Sequence, residues 1–247
     1  MSGKISVGVV QYLNAKPLIL GMEECNLLPD AELVLDYPSR LANRLRNGEL
    51  DIALLPVASI PTISEANLFS RYGIASLNEV ASVCLFSDVP VEEIKSVFLD
   101  YQSMTSVALL KILMKEWWHI TPVCLPAPED YISSIHGTRA GLIIGDRALL
   151  ARKQFAYCYD LASIWNKLTG LPFVFATWIA NKDLPVDFIR RFEEANEWGL
   201  HRIRQLADAH PFEAYDLYTY YTENISYRLT DELKKGMHLF LEKLEQY

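Results

Sequence analysis

Two short polar cassettes carry the side chains best suited to chemistry: Gln11-Tyr12-Leu13-Asn14-Ala15-Lys16-Pro17 and Asp100-Tyr101-Gln102-Ser103-Met104-Thr105-Ser106. Each follows an apolar run, Ile5–Val10 or Val97–Leu99, and each precedes a stretch with helical periodicity, so each is predicted to lie at the C-terminal edge of a strand where a helix opens. Hydroxyls and amides there sit beside unpaired backbone N–H groups and the positive end of the helix dipole. That chemistry suits a carboxylate or a phosphate. Ser103 or Thr105 is the natural cap of the second helix, and a cap and a ligand donor can be the same group. Asn14 can either close a turn or face a ligand, and Lys16 can be solvated or can contact an anion. Asp146, in Ile143-Ile144-Gly145-Asp146-Arg147, follows another apolar run; it can cap a helix or present a carboxylate whose pKa burial raises into a range useful for proton transfer.

The elements that must position these cassettes alternate along the chain. Strand-like runs are predicted at Ile5–Val10, Glu32–Leu35, Ile52–Leu55, Ser82–Phe86, Ser96–Leu99, Ala140–Ile144 and Phe173–Ile179. Helix-like stretches separate them, as in an α/β protein with parallel sheets. The segment from Pro38 to Gly48 has a helical repeat and a terminal glycine. Val107, Leu110 and Met114 form one stripe that continues to Trp117. Beyond Phe173 the pattern turns wholly helical: Phe188, Phe192, Ala195, Gly199, Ile203 and Leu206 share one face, and Leu233, Met237, Phe240, Leu241 and Leu244 another. These are core stripes. The chain is expected to form two lobes, one from residues 1–86 and 173–247 and one from 87–172, with crossings near Ser82–Ser87 and Phe173–Asn181.

Composition narrows the function classes. With 247 residues, 51% of them hydrophobic, the chain can bury a full core. A formal charge of −8 without a cluster of Lys and Arg argues against a nucleic-acid partner. The longest apolar runs are far shorter than the roughly 20 residues that a membrane-spanning helix needs. Met1 to Lys4 lead directly into a strand without the pattern of a secretion signal, and Cys25, Cys84, Cys124 and Cys158 form no Cys-x-x-Cys pair; reduced, mostly buried thiols in a cytoplasmic protein are expected. Gly-x-Gly-x-x-Gly, the phosphate loop, Gly-x-Ser-x-Gly and His-Glu-x-x-His are absent, and the five histidines lack metal-ligand spacing. The expected chemistry uses no metal, no cofactor and no histidine base.

Taken in order, the cassettes resemble the chorismate dehydratases of the futalosine route to menaquinone. The stretches that carry the resemblance are Tyr12-Leu13-Asn14-Ala15-Lys16-Pro17-Leu18, Gly48-Glu49-Leu50-Asp51-Ile52-Ala53-Leu54-Leu55-Pro56-Val57, Val80-Ala81-Ser82-Val83, Ser103-Met104-Thr105-Ser106-Val107-Ala108-Leu109-Leu110, Ile143-Ile144-Gly145-Asp146, Thr169-Gly170-Leu171-Pro172-Phe173 through Trp178, and Tyr220-Tyr221-Thr222-Glu223-Asn224-Ile225-Ser226-Tyr227. They span nearly the whole chain. The resemblance implies the two-lobed fold of type II periplasmic solute-binding proteins, with a ligand cleft between the lobes, and chorismate as the small-molecule substrate. It implies Asn14, Ser82 and Asp146 as catalytic residues, and Tyr12, Lys16, Ser103, Thr105, Ser106 and Gly145 as substrate-binding residues. Met104 stands where the family usually has Arg, so the third cassette lacks a planar bidentate donor. The Ser-Pro-Cys-Pro-Asn opening of the sister family, which forms dihydroxy-naphthoate later in the same route, is absent. Two proton acceptors fit such a reaction, Asp146 and the substrate's own enolpyruvyl carboxylate.

Overall fold

In chain order the elements are β1 (Ile5–Val9), α1 (Lys16–Glu24), β2 (Ala31–Leu35), α2 (Pro38–Arg46), β3 (Ile52–Pro56), β4 (Tyr72–Ser76), β5 (Val83–Ser87), β6 (Ser96–Leu99), α3 (Met104–Glu116), β7 (Val123–Pro126), β8 (Arg139–Ile144), α4 (Asp146–Ala151), β9 (Tyr157–Asp160), α5 (Leu161–Thr169), β10 (Phe173–Ala180), α6 (Val186–Leu200), α7 (Ile203–Ala209), α8 (Leu217–Thr219), β11 (Ser226–Arg228) and α9 (Asp231–Leu244). This computed structural model describes residues 4–246; Met1 to Gly3, on which the expectation about a secretion signal bears, lie outside the described residues. Among the described residues no helix is long and apolar enough to cross a membrane.

The strands form two sheets, of order β11-β4-β10-β3-β1-β2 and β7-β6-β8-β5-β9. Both are mixed, which corrects the expectation of parallel sheets. β1 runs parallel to β2 and β3, and β6 parallel to β7 and β8, whereas β10 is antiparallel to β3 and β5 is antiparallel to both β8 and β9. Local apolar patterning reports strand existence, but direction depends on where the chain comes from. β5 and β10 each enter a sheet after the chain has changed compact unit, so neither is bound to its neighbours by a βαβ crossover.

Contacts group the chain into one unit of Met1–Ala75 and Val174–Thr230 and another of Ser76–Phe173 and Asp231–Tyr247. The expected boundaries differ from these over 76–86 and over α9. The reason for the second difference is packing: Phe240 of α9 is fully buried with its ring 5.0 Å from Phe173 and 6.2 Å from Trp165, and Gly236 lies against the Pro172 carbonyl. The apolar stripe of α9 is legible in the sequence; the surface that it covers is not.

In the first unit, α1 and α6 meet backbone to backbone. Gly21 faces the Ala195 carbonyl and Gly199 faces the Pro17 carbonyl, each so closely that a Cβ would overlap the oxygen. Phe188 and Phe192 continue the buried face of α6. The stripe expected to run on to Leu206 breaks at His201–Arg202, where α6 gives way to α7. Because α1 begins within the first cassette, at Lys16, its seating on α6 fixes where that cassette lies. Gly21→Ala must push two rigid helices apart, and overpacking of this kind costs about 3 kcal/mol. Urea unfolding should show a midpoint lowered accordingly, while Glu23→Ala, at an exposed position of the same helix, should leave the midpoint nearly unchanged.

Candidate functional site

In the first unit the cassette after β1 is a single 3-10 turn, Leu13–Ala15, closed by the Ala15 N–H donating to the Tyr12 carbonyl at 3.0 Å. Leu13 and Ala15 are buried and anchor the turn, which leaves Asn14 half-buried between them. Its amide oxygen Oδ1 is sealed from solvent without a hydrogen-bond partner. A buried acceptor left empty costs free energy, and a ligand hydroxyl is one group that can fill it. Lys16 begins α1 with Pro17 behind it, as the proline suggests. Lys16 lines an open cavity of about 430 Å³ together with Gln11, Glu23, Glu24 and His210. Asn14 is not among the residues lining that cavity. Tyr12 is half-buried.

In the second unit the structure brings the remaining predicted residues to one sheet edge. β6 and β8 are parallel neighbours, so their C-terminal ends lie together, and β5 runs against β8 with Val83 opposite Ile144. Ser82, just before β5, therefore sits beside Gly145, just after β8, and the Gly145 N–H donates to the Ser82 carbonyl at 2.8 Å. Ser82 is fully buried. Gly145, at φ 64° and ψ −147°, occupies backbone space open essentially to glycine alone. It, and not Asp146, is the residue at the N-cap position of α4; Asp146 is the first helical residue and half-buried.

The second cassette opens α3 as expected. Ser103 is the N-cap, accepting the Ser106 N–H at 3.1 Å, and its hydroxyl donates to the Ser106 hydroxyl oxygen at 2.8 Å. With the Ser103 proton so committed, the Ser106 O–H is the donor of the pair that can turn elsewhere. Thr105 and Ser106 are both buried, whereas Met104 is 49% exposed on the first turn.

A buried ion pair ties this cassette to the Gly145 turn. Arg147 Nη2 donates to Asp100 Oδ2 at 2.6 Å and to Gln102 Oε1 at 2.8 Å. Asp100, whose side chain is wholly inaccessible, also accepts the Tyr131 hydroxyl at 2.7 Å and the Gln102 N–H at 2.8 Å. Burial, reinforced by the Asp100 charge, pushes the Tyr131 phenol well above its ordinary pKa, so it stays a donor.

A second carboxylate underlies Ser82. Asp160 caps α5 by accepting the Ser163 N–H at 3.0 Å, and it also accepts the N–H groups of Val80 at 3.2 Å and Ala81 at 2.7 Å. Burial raises its pKa to about 6 against the opposing effect of these three donors. Arg152 completes the surround, donating to the Ala81 carbonyl at 3.0 Å and pairing with Glu79. Cys84 is buried beside it, and burial raises its thiol pKa; Cys25 and Cys158 are half-buried and Cys124 exposed, so of the four free thiols only one is fully buried, fewer than expected. Sequence reasoning placed Asp100 and Arg147 in polar stretches without giving either a role, and it missed Arg152 and Asp160, because the side chains and backbone groups that pair with them lie mostly tens of residues away. The cap at Asp160, three residues before Ser163, and the Asp100 side chain accepting the Gln102 N–H two residues on are the local signals.

Solved structures similar to this chain include the aliphatic sulphonate binding protein SsuA from Escherichia coli, with a TM-score of 0.63 at 13% identity, covering 100% of this chain and 93% of that one. The chain thus has the α/β fold of periplasmic binding proteins. A family model described as "Menaquinone biosynthesis" matches residues 5–246, and the chain belongs to that family. Among curated relatives it is similar to the chorismate dehydratase of Thermus thermophilus, 29% identical over 96% of this chain and 94% of the relative, and to the chorismate dehydratase of Campylobacter jejuni, 25% identical over 95% of each.

Two stability measurements probe this edge. Arg147→Leu leaves Asp100 buried without its cation, and breaking such a pair costs about 3 kcal/mol or more, to be read as a lower denaturant midpoint. For Asp160 the native pKa of about 6 lies above the ordinary 3.8, so the native state binds more protons between those values. Its contribution to stability is therefore greatest below about pH 4 and falls as pH rises to 6, by roughly 3 kcal/mol in total. Unfolding free energies measured across pH 4–7 should show this decline in the wild type and lose it in Asp160→Asn.

Proposed function

We propose that this protein is a chorismate dehydratase, removing water from chorismate to give 3-[(1-carboxyvinyl)oxy]benzoate in menaquinone biosynthesis. The observation that carries this reading is the end-to-end similarity to two chorismate dehydratases within a family matched over 5–246. The site chemistry supports it. Chorismate carries two carboxylates, and the Thr105 and Ser106 hydroxyls at the start of α3, with Ser103 holding Ser106 in place, are suited to one of them. The empty Asn14 Oδ1 is suited to accept from the substrate's ring hydroxyl.

In the reaction the C–H bond next to the enol ether and the neighbouring C–O bond break, the proton and hydroxide leave as water, and the ring becomes aromatic. Much of the driving force thus resides in the substrate, and the protein's work is to bind and orient it. Charge that develops as the proton leaves spreads towards the ring carboxylate, where the α3 donors would stabilise it. Asn14 and Ser82 hold the substrate in the reacting orientation. The proton goes to the substrate's own enolpyruvyl carboxylate, and Asp146 acts as a placed polar group on the Gly145 turn. This assignment needs no separate protein base.

Incubating the purified protein with chorismate should abolish the diene absorbance and yield a product lighter by one water. Tight binding without that loss would instead identify a non-catalytic carboxylate binder. Thr105→Ala should weaken chorismate binding about tenfold or more, from the loss of one charge-assisted hydrogen bond, with the fold retained by circular dichroism. Asn14→Ala should lower kcat by about 10²–10³-fold, whereas Asp146→Asn should keep much of its turnover. Abolition of turnover in Asp146→Asn with unchanged binding would make the protein carboxylate the base.

A further inference from the structure

Ser82 is reached through a turn that the chain would not adopt unaided. The Ser82 N–H donates to the Val80 carbonyl at 2.7 Å, a three-residue closure, and the residue at its centre, Ala81, has φ 62°. This is the rare, strained form of such a turn, and alanine brings a Cβ into backbone space that favours glycine. Ala81 is also fully buried. Strain of this kind persists only where the surroundings over-determine it.

Here they do. The N–H groups of both Val80 and Ala81 point to Asp160, one to each carboxylate oxygen, while Arg152 holds the Ala81 carbonyl. On the far side of Ser82, its own carbonyl accepts the Gly145 N–H. The peptide groups flanking Ser82 are thus all fixed, by side chains from the ends of β9 and α4 and by the β8–α4 turn. A carboxylate needed only to cap α5 would use one oxygen on the Ser163 N–H; Asp160 uses both. The second oxygen takes the Ala81 N–H as its close partner, with the Cys84 thiol more distant at 3.8 Å.

We propose that Asp160, backed by Arg152, is a positioning residue that holds the Val80–Ser82 turn in its strained form and thereby sets the orientation of Ser82 towards the substrate. The proposal rests on the dehydratase reading and deepens it. Neither residue touches substrate in this account. Both act through the backbone on either side of Ala81.

The decisive comparison is steady-state chorismate turnover by the wild type, Ser82→Ala, Asp160→Asn and Asp160→Asn/Ala81→Gly. An asparagine can accept only through Oδ1, and its amide N–H would face a second N–H, so the turn should relax. Asp160→Asn is expected to lose about 10²-fold in kcat with KM within about threefold and a melting temperature close to that of the wild type. Glycine adopts the turn at little steric cost, so the double variant should recover at least tenfold of that loss. Should Asp160→Asn fail to fold, Arg152→Gln, which releases only the Ala81 carbonyl from within the turn, should show the same kcat-selective loss to a smaller degree. Wild-type kcat in Asp160→Asn or Arg152→Gln, alongside a crippled Ser82→Ala, would overturn the positioning role while leaving the dehydratase reading intact. A wild type that turns over no chorismate would overturn both.

Discussion

A carboxylate taken out of water must find donors for both of its oxygens, and that constraint organises the functional edge of the second unit. Asp100 and Asp160 are each buried there, and each is satisfied by groups from separate segments: Tyr131, Arg147 and the Gln102 N–H for the one, and the N–H groups of Val80, Ala81 and Ser163 for the other. Because an unfilled lone pair in the interior is costly, these partners cannot drift independently. The Asp100 network joins the start of α3 to the Gly145 turn; the Asp160 network joins the approach to Ser82 to the start of α5.

The two units hold their polar cassettes on different terms. In the first unit the Asn14 turn is held by apolar anchors, Leu13 and Ala15, and by the close seating of α1 on α6 through paired glycines. In the second unit polar networks do the holding. Apolar anchoring leaves the Asn14 side chain with unused hydrogen-bonding capacity, whereas the network in the second unit already consumes the Ser103 proton and the carboxylates below it. The first unit thus offers an acceptor awaiting a partner, and the second offers hydroxyl donors on a fixed frame.

Much of this is legible in the chain because it is local. The cassette at 100–106 holds a cap, Ser103, from which the helix runs on, the apolar run at 140–144 is a strand, and the glycine after it marks a turn; each follows from neighbouring residues. What the chain does not disclose is non-local or weakly patterned. β4 has Ile74 as its one branched aliphatic residue, and β7, β9 and β11 are edge strands of only three or four residues. Antiparallel insertion of β5 and β10 is a matter of topology, not of composition. Asp160 can be read as a cap, yet its bonds to Val80 and Ala81 link residues about 80 positions apart, and no pattern of apolar residues records them.

The assignment of α9 to the second unit bears on how the protein comes into being. Residues 76–173 emerge from synthesis as one uninterrupted stretch, complete with five strands, but Trp165 and Phe173 lack the Phe240 ring that covers them until α9 is made. The first unit likewise waits for 174–230 to supply β10, α6 and β11. Neither unit can finish before its neighbour has begun, so the order of synthesis offers no stage at which one half stands folded and the other absent. For a nascent chain this delays protection of apolar surface, and it means that loss of α9 would be felt by the aromatic core of the unit that holds Ser82.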